Sequence, residues 1–103
     1  MGTYHRFIID TKLVKKDKKT KEEVKEIIEK FDHPKVVFSE TQGISIDDTK
    51  LLGELRLFKL LRKHLIGKIR VINLDNGEVI DYLFGEGRNF KKDYPDYFVR
   101  IRV

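Results

Sequence analysis

The sequence predicts an α+β domain built as a two-layer sandwich, with two helices packed on a mainly antiparallel sheet. Three observations carry that expectation. Val24, Ile27, Ile28 and Phe31 recur at the spacing of one buried helical face. Asn76-Gly77 separates two apolar-alternating runs, the strongest short-range hairpin signal a sequence offers, with both turn residues expected at positive φ. Residues 97–103 alternate cleanly, with Tyr97, Val99, Ile101 and Val103 set against Phe98, Arg100 and Arg102.

Taken in order, residues 4–10 read as a first strand through Phe7, Ile8 and Ile9, with room to continue to Leu13 and Val14. Residues 15–20 form a lysine-rich loop. Thr20 and Glu23 have the spacing of a capping box, in which each side chain satisfies an orphan amide at a helix start. The helix that follows carries Glu26 and Lys30 one turn apart, acid first, and stops at His33-Pro34 because proline biases its predecessor out of helical geometry. Val36, Val37 and Phe38 make a strand within 35–40, and Gln42-Gly43 turns it into a short partner at 44–46.

Asp47 or Asp48 is expected to cap a second helix running to about Leu65, with Gly67 as its C-terminal glycine. Its main buried face holds Leu51, Leu52, Leu55, Phe58, Leu61 and Leu65; Leu57 and Leu60 fall outside it. A helix apolar around so much of its circumference is central to a core or packs on a second chain. Next comes the hairpin of residues 68–74 and 78–84, in which Ile69, Val71, Ile80, Tyr82 and Phe84 share one face. A loop from Gly85 to Asp96 leads to the last strand. The order is β-α-β(-β)-α-β-β-β, without repeat or linker, so residues 1–103 are read as one domain. A ferredoxin-like core with extra C-terminal strands is compatible with that order.

Composition narrows the chemistry. The chain has no cysteine, which excludes disulfide scaffolds, thiolate zinc sites and thiol catalysis. No apolar run approaches membrane-spanning length, and residues 1–10 do not resemble a signal peptide, so a cytoplasmic, non-membrane protein is expected. Lysine and arginine total 22 against 17 acids, a net charge of +5 that permits an anionic partner. Abundant Lys and Glu with few Asn and Gln fit a thermophilic source.

Cations gather in three places. Lys15, Lys16, Lys18 and Lys19 lie in the lysine loop, flanked by Lys12 and Lys21. Arg56, Lys59 and Lys63 fall at i, i+3 and i+7 of the second helix. Arg88, Lys91 and Lys92 occupy the glycine-bearing loop, and Arg100 and Arg102 project from one face of the last strand beside Phe98. Several cations within reach of one phosphate backbone, with a flat ring for stacking, are what nucleic-acid binding requires; a lysine-rich solvated surface would look the same in sequence.

Other constellations are thinner. Gly85-Glu86-Gly87 lacks the Gly-Lys-Ser/Thr ending of a phosphate loop. Asp10, Glu40, Asp47 and Asp48 could converge as metal ligands of a nuclease, although each also suits a turn or cap. His5, His33 and His64 share no ligand spacing, and Ser39 and Ser45 stand in no nucleophile context. No cofactor is called for.

The leading expectation is thus a small, basic, non-catalytic accessory protein that binds nucleic acid. The alternative is a protein-interaction module that docks a partner on an edge strand or the leucine-rich helix, with Leu57, Leu60 and Phe98 as interface residues. Leucine excess favours a homodimer in either case.

Overall fold

The computed structural model describes residues 3–50, 53–85 and 99–102. The elements in chain order are β1 (Tyr4–Leu13), α1 (Lys18–Phe31), β2 (Val36–Ser39), β3 (Gly43–Ile46), β4 (Thr49–Lys50), α2 (Glu54–Leu61), β5 (Leu65–Asn73), β6 (Val79–Phe84) and β7 (Val99–Arg102). Five strands form one sheet in the order β4-β1-β5-β6-β7, and β2-β3 form a separate ribbon. Every pairing among these strands is antiparallel. Helices on a mainly antiparallel sheet are the α+β arrangement that the sequence implies.

The long β1–β5 ladder is the spine. Its register runs from His5↔Asn73 to Leu13↔Leu65 and sets Phe7 opposite Val71 and Ile9 opposite Ile69. Strand alternation therefore sends Phe7, Leu13, Leu65, Ile69 and Val71 to one face, where all five are buried. On β6, Tyr82 pairs with Ile69 and Ile80 with Val71, so the shared apolar face expected from the hairpin is present. Phe58 of α2 closes the core from above. Its ring centroid lies 5.5 Å from Tyr82, 5.9 Å from Phe84 and 6.4 Å from Phe7, in tilted or edge-on contacts that aromatic quadrupoles favour. From α1, Val24 and Ile28 are buried, with Ile27 and Phe31 packed alongside.

Gln42 fastens the β2-β3 ribbon to β1: its Nε2 donates to the Ile9 carbonyl at 2.8 Å, and its own carbonyl accepts from Thr11 Oγ1 at 2.7 Å. This occupies backbone on the side of β1 that the two-residue β4 leaves bare, and bare edges invite unwanted pairing.

Four local expectations are corrected. First, α1 begins earlier than a Thr20 cap requires. Asp17 is the N-cap, its Oδ1 accepting the Thr20 N–H at 2.7 Å, so Thr20 lies inside the first turn and Glu23 is released from capping.

Second, the helix expected from residue 47 to about 65 is shorter at both ends. Thr49 and Lys50 pair with β1, Asp48 binds Arg6 instead of a helix start, and Gly53 is the N-cap. Leu65 belongs to β5, because pairing with Leu13 gives its backbone a ladder partner.

Third, Gly67 is no helix terminator. It lies within β5 at φ +127°, where a side chain would run into the Asp10 carbonyl and Thr11 of the adjacent strand.

Fourth, the β5–β6 turn is not a two-residue loop with both residues at positive φ. Of its residues only Gly77 has positive φ, and the Asn73 carbonyl accepts the Gly77 N–H across residues 74–77. Asn73 Oδ1 holds the turn by accepting the N–H groups of Asp75 and Asn76.

Candidate nucleic-acid interface

The β1–β5 register decides which cations meet. Beyond Leu13↔Leu65, the Val14 N–H donates to the His64 carbonyl at 2.9 Å, carrying the two segments side by side past the end of the ladder. The next residues outward are Lys15 on one segment and Lys63 on the other. Both line a groove of about 250 Å³ with Val14, Asp17, Lys19, Thr20, Glu23 and His64. Two of the three basic clusters are thereby joined at one place, the lysine loop through Lys15 and Lys19 and the second-helix stripe through Lys63.

The stripe itself does not survive as a helical feature. Since α2 ends at Leu61, Lys63 sits in the following turn, whose His64 N–H donates to the Leu61 carbonyl at 2.9 Å. Arg56 and Lys59 remain exposed on α2. Lys16 and Lys18 are exposed near the groove in sequence but do not line it, and Lys18 Nζ stands 4.0 Å from Glu22 one turn along α1.

One acid of the groove is already engaged. Asp17 accepts from Thr20 through side chain and backbone, and these bonds, aided by Lys15 and Lys19, hold its carboxyl below the usual aspartate range. Asp17 is therefore an anion committed to the start of α1. Glu23 Oε2 is 3.7 Å from His64 Nε2. The sequence assigned Glu23 to a cap and His64 to the end of a helix; their meeting follows from the strand register.

The remaining expected site residues are dispersed or outside the description. Arg100 and Arg102 pair in register with Tyr82 and Ile80 of β6. Arg88, Lys91, Lys92 and Phe98 lie outside the described residues. Of the interface residues, Leu60 is 53% exposed, whereas Leu57 has no exposed surface and so none to offer a second chain. Leu57, Leu61 and Leu65 all enter the core, which absorbs much of the leucine excess; Leu51, Leu52 and the Leu55 side chain lie outside the description.

Asp10, Glu40, Asp47 and Asp48 do not assemble: Asp48 is bonded to Arg6, Glu40 faces Lys21 at 4.0 Å, and no metal-ligand cluster of three or more exists among the described residues. None of the described helices is long and apolar enough to cross a membrane.

Sequence reasoning missed a buried pair at the other end of the helices. Glu54, in the first turn of α2, is fully enclosed, and His33 Nε2 lies 3.8 Å from its Oε1. His33 Nδ1 accepts the Lys35 N–H and its ring stacks on Phe31, so the imidazole is fixed from three sides. Nothing in local periodicity marks Glu54 as interior. Beside this pair, a second groove of about 380 Å³ runs between α1 and β2, lined by Ile28, Val36, Val37 and Phe38 with Lys25 and Glu29.

Comparison with protein-family models, with curated proteins and with solved structures finds no match to this chain.

Proposed function

We propose that this protein binds nucleic acid non-catalytically, gripping backbone phosphates with lysines. The observation that supports this reading is the convergence on one groove of Lys15 and Lys19 from the lysine loop with Lys63 from a distant segment. Cations that the fold brings together from distant segments are a stronger sign of an anion site than a lysine run that shares one solvated loop. Phosphate contacts of this kind position a protein without reading sequence.

Fluorescence anisotropy of labelled single- and double-stranded oligonucleotides, titrated at several salt concentrations, tests the proposal. Each lysine lost from a duplex interface lowers the slope of log K against log salt by about 0.9, so Lys15→Glu with Lys63→Glu should lower it by about 1.8. An unchanged slope would show these lysines to be ordinary surface.

A second reading, docking of an extended peptide, is favoured by the groove beside β2. Its strand pairs only with β3 among the described strands, and Val37 is 54% exposed at its rim. A peptide strand could add to such an edge and seat alternate side chains in the groove. Loss of capture by Val37→Lys, with oligonucleotide binding intact, would separate this reading from the first.

A further inference from the structure

We infer that the groove between the start of α1 and the turn before β5 is a phosphate-binding site whose grip strengthens when His64 gains a proton; this rests on the nucleic-acid reading above. The argument starts from crowding. Hydrogen bonding of Val14 to His64 leaves Lys15 and Lys63 as the next residues on adjacent segments, with Lys19 in the same groove. Like charges held side by side repel, and an anion seated between them relieves that repulsion.

His64 lines the same groove, and its backbone is held at both ends. Its carbonyl accepts from Val14 and its N–H donates to Leu61, and its side chain is only 19% exposed. The charged groups that share a groove with His64 are Glu23, Glu26 and Lys30 of α1, Asp17 and Lys19 at its start, Lys15 of the preceding loop, and Lys63 of its own turn. In the groove itself, three lysines stand against Asp17 and Glu23, a surplus of one positive charge while the imidazole is neutral. Protonation doubles that surplus. It also sets a cation 3.7 Å from Glu23, the acid that otherwise repels a phosphate there. Histidine is the side chain whose ordinary titration spans the range from pH 5 to 8.

The test is titration of a labelled single-stranded oligonucleotide at constant ionic strength between about pH 5.5 and 8.5, with inorganic phosphate as competitor. Wild-type affinity should rise about three- to fivefold toward the acid end, the scale of one added partly exposed ion pair. His64→Gln should lose the rise, while His5→Gln retains it. Glu23→Gln, which removes an acid without touching the ring, should bind more tightly than wild type at the alkaline end. Circular dichroism of each variant confirms the fold. A rise that survives His64→Gln, or weaker binding by Glu23→Gln, overturns this inference alone. Absence of binding by wild type at every pH, even at low salt, overturns the nucleic-acid reading and the inference with it.

Discussion

Gly67 shows how one atom fixes a register. It sits between Thr11 of β1 and Phe84 of β6, and its φ of +127° is open only to glycine without strain. A Cβ there meets backbone, the Asp10 carbonyl oxygen and Thr11 Cα, neither of which can swing aside as a side-chain tip would. Gly67→Ala should therefore destabilise the protein by about 3 kcal/mol, at the upper end of the range for forced backbone strain. Urea unfolding would show a lower midpoint with an unchanged slope. In sequence, this glycine looks the same as one that ends a helix, and only the neighbouring strand distinguishes the two roles. Asp17 is a similar case. Thr20 and Glu23 satisfy the capping pattern, but the aspartate three residues earlier is an equally good acceptor and wins the cap.

Element by element, α2 departs furthest from expectation. Its apolar pattern was legible, and Phe58 and Leu61 are buried as the periodicity implies. Its ends were not, because Thr49-Lys50 and Leu65 find better partners on neighbouring strands than in more helical turns. The shift in ends changes what surrounds the helix, so Leu57 is enclosed and Leu60 is left outside. Leu57→Ala should cost about 2–5 kcal/mol, as expected where a cavity opens in a packed core. Leu60→Ala should stay within about 0.5 kcal/mol, as an exposed change usually does. Chemical denaturation of both variants checks the pair; equal losses would mean that the helix faces the core differently. By contrast, α1 and the β5–β6 hairpin were legible, since their signals are local: one apolar stripe, and one Asn-Gly turn between alternating runs.

For the molecule as a whole, the charge pairs set an acid limit. Hydrogen bonds hold three carboxylates below their ordinary range: Thr20 acts on Asp17, Arg6 on Asp48 and Arg70 on Asp81. The last pair crosses β5 to β6 in register, with Arg70 Nε 2.8 Å from Oδ1 and Nη2 3.0 Å from Oδ2. A lowered carboxyl pKa means that the unfolded chain takes up protons first. The stabilisation is fully present above the unfolded value of about 3.9 and is lost as pH falls through the lower folded values. Thermal unfolding midpoints should thus fall on acidification below about pH 4, and Asp81→Asn should flatten part of that fall. A variant with the wild-type pH profile would show that the Arg70 pair contributes nothing to it.

The sequence by itself determined the α+β class, the buried stripe of α1, the shared face of β5 and β6, and the basic character of the surface. The stripe and the shared face depend on spacing within one short segment, which hydrophobic periodicity and turn chemistry report directly; the class follows from the order of such segments and the charge from composition. Tertiary structure alone decided the true ends of α2, the burial of Glu54 against His33, and which lysines meet. The groove exists because Leu13 pairs with Leu65, bringing Lys15 beside Lys63 and Glu23 beside His64. That pairing joins segments far apart in the chain, and the free energy that selects it comes from burying the common face of the sheet beneath the helices, a quantity no local window contains.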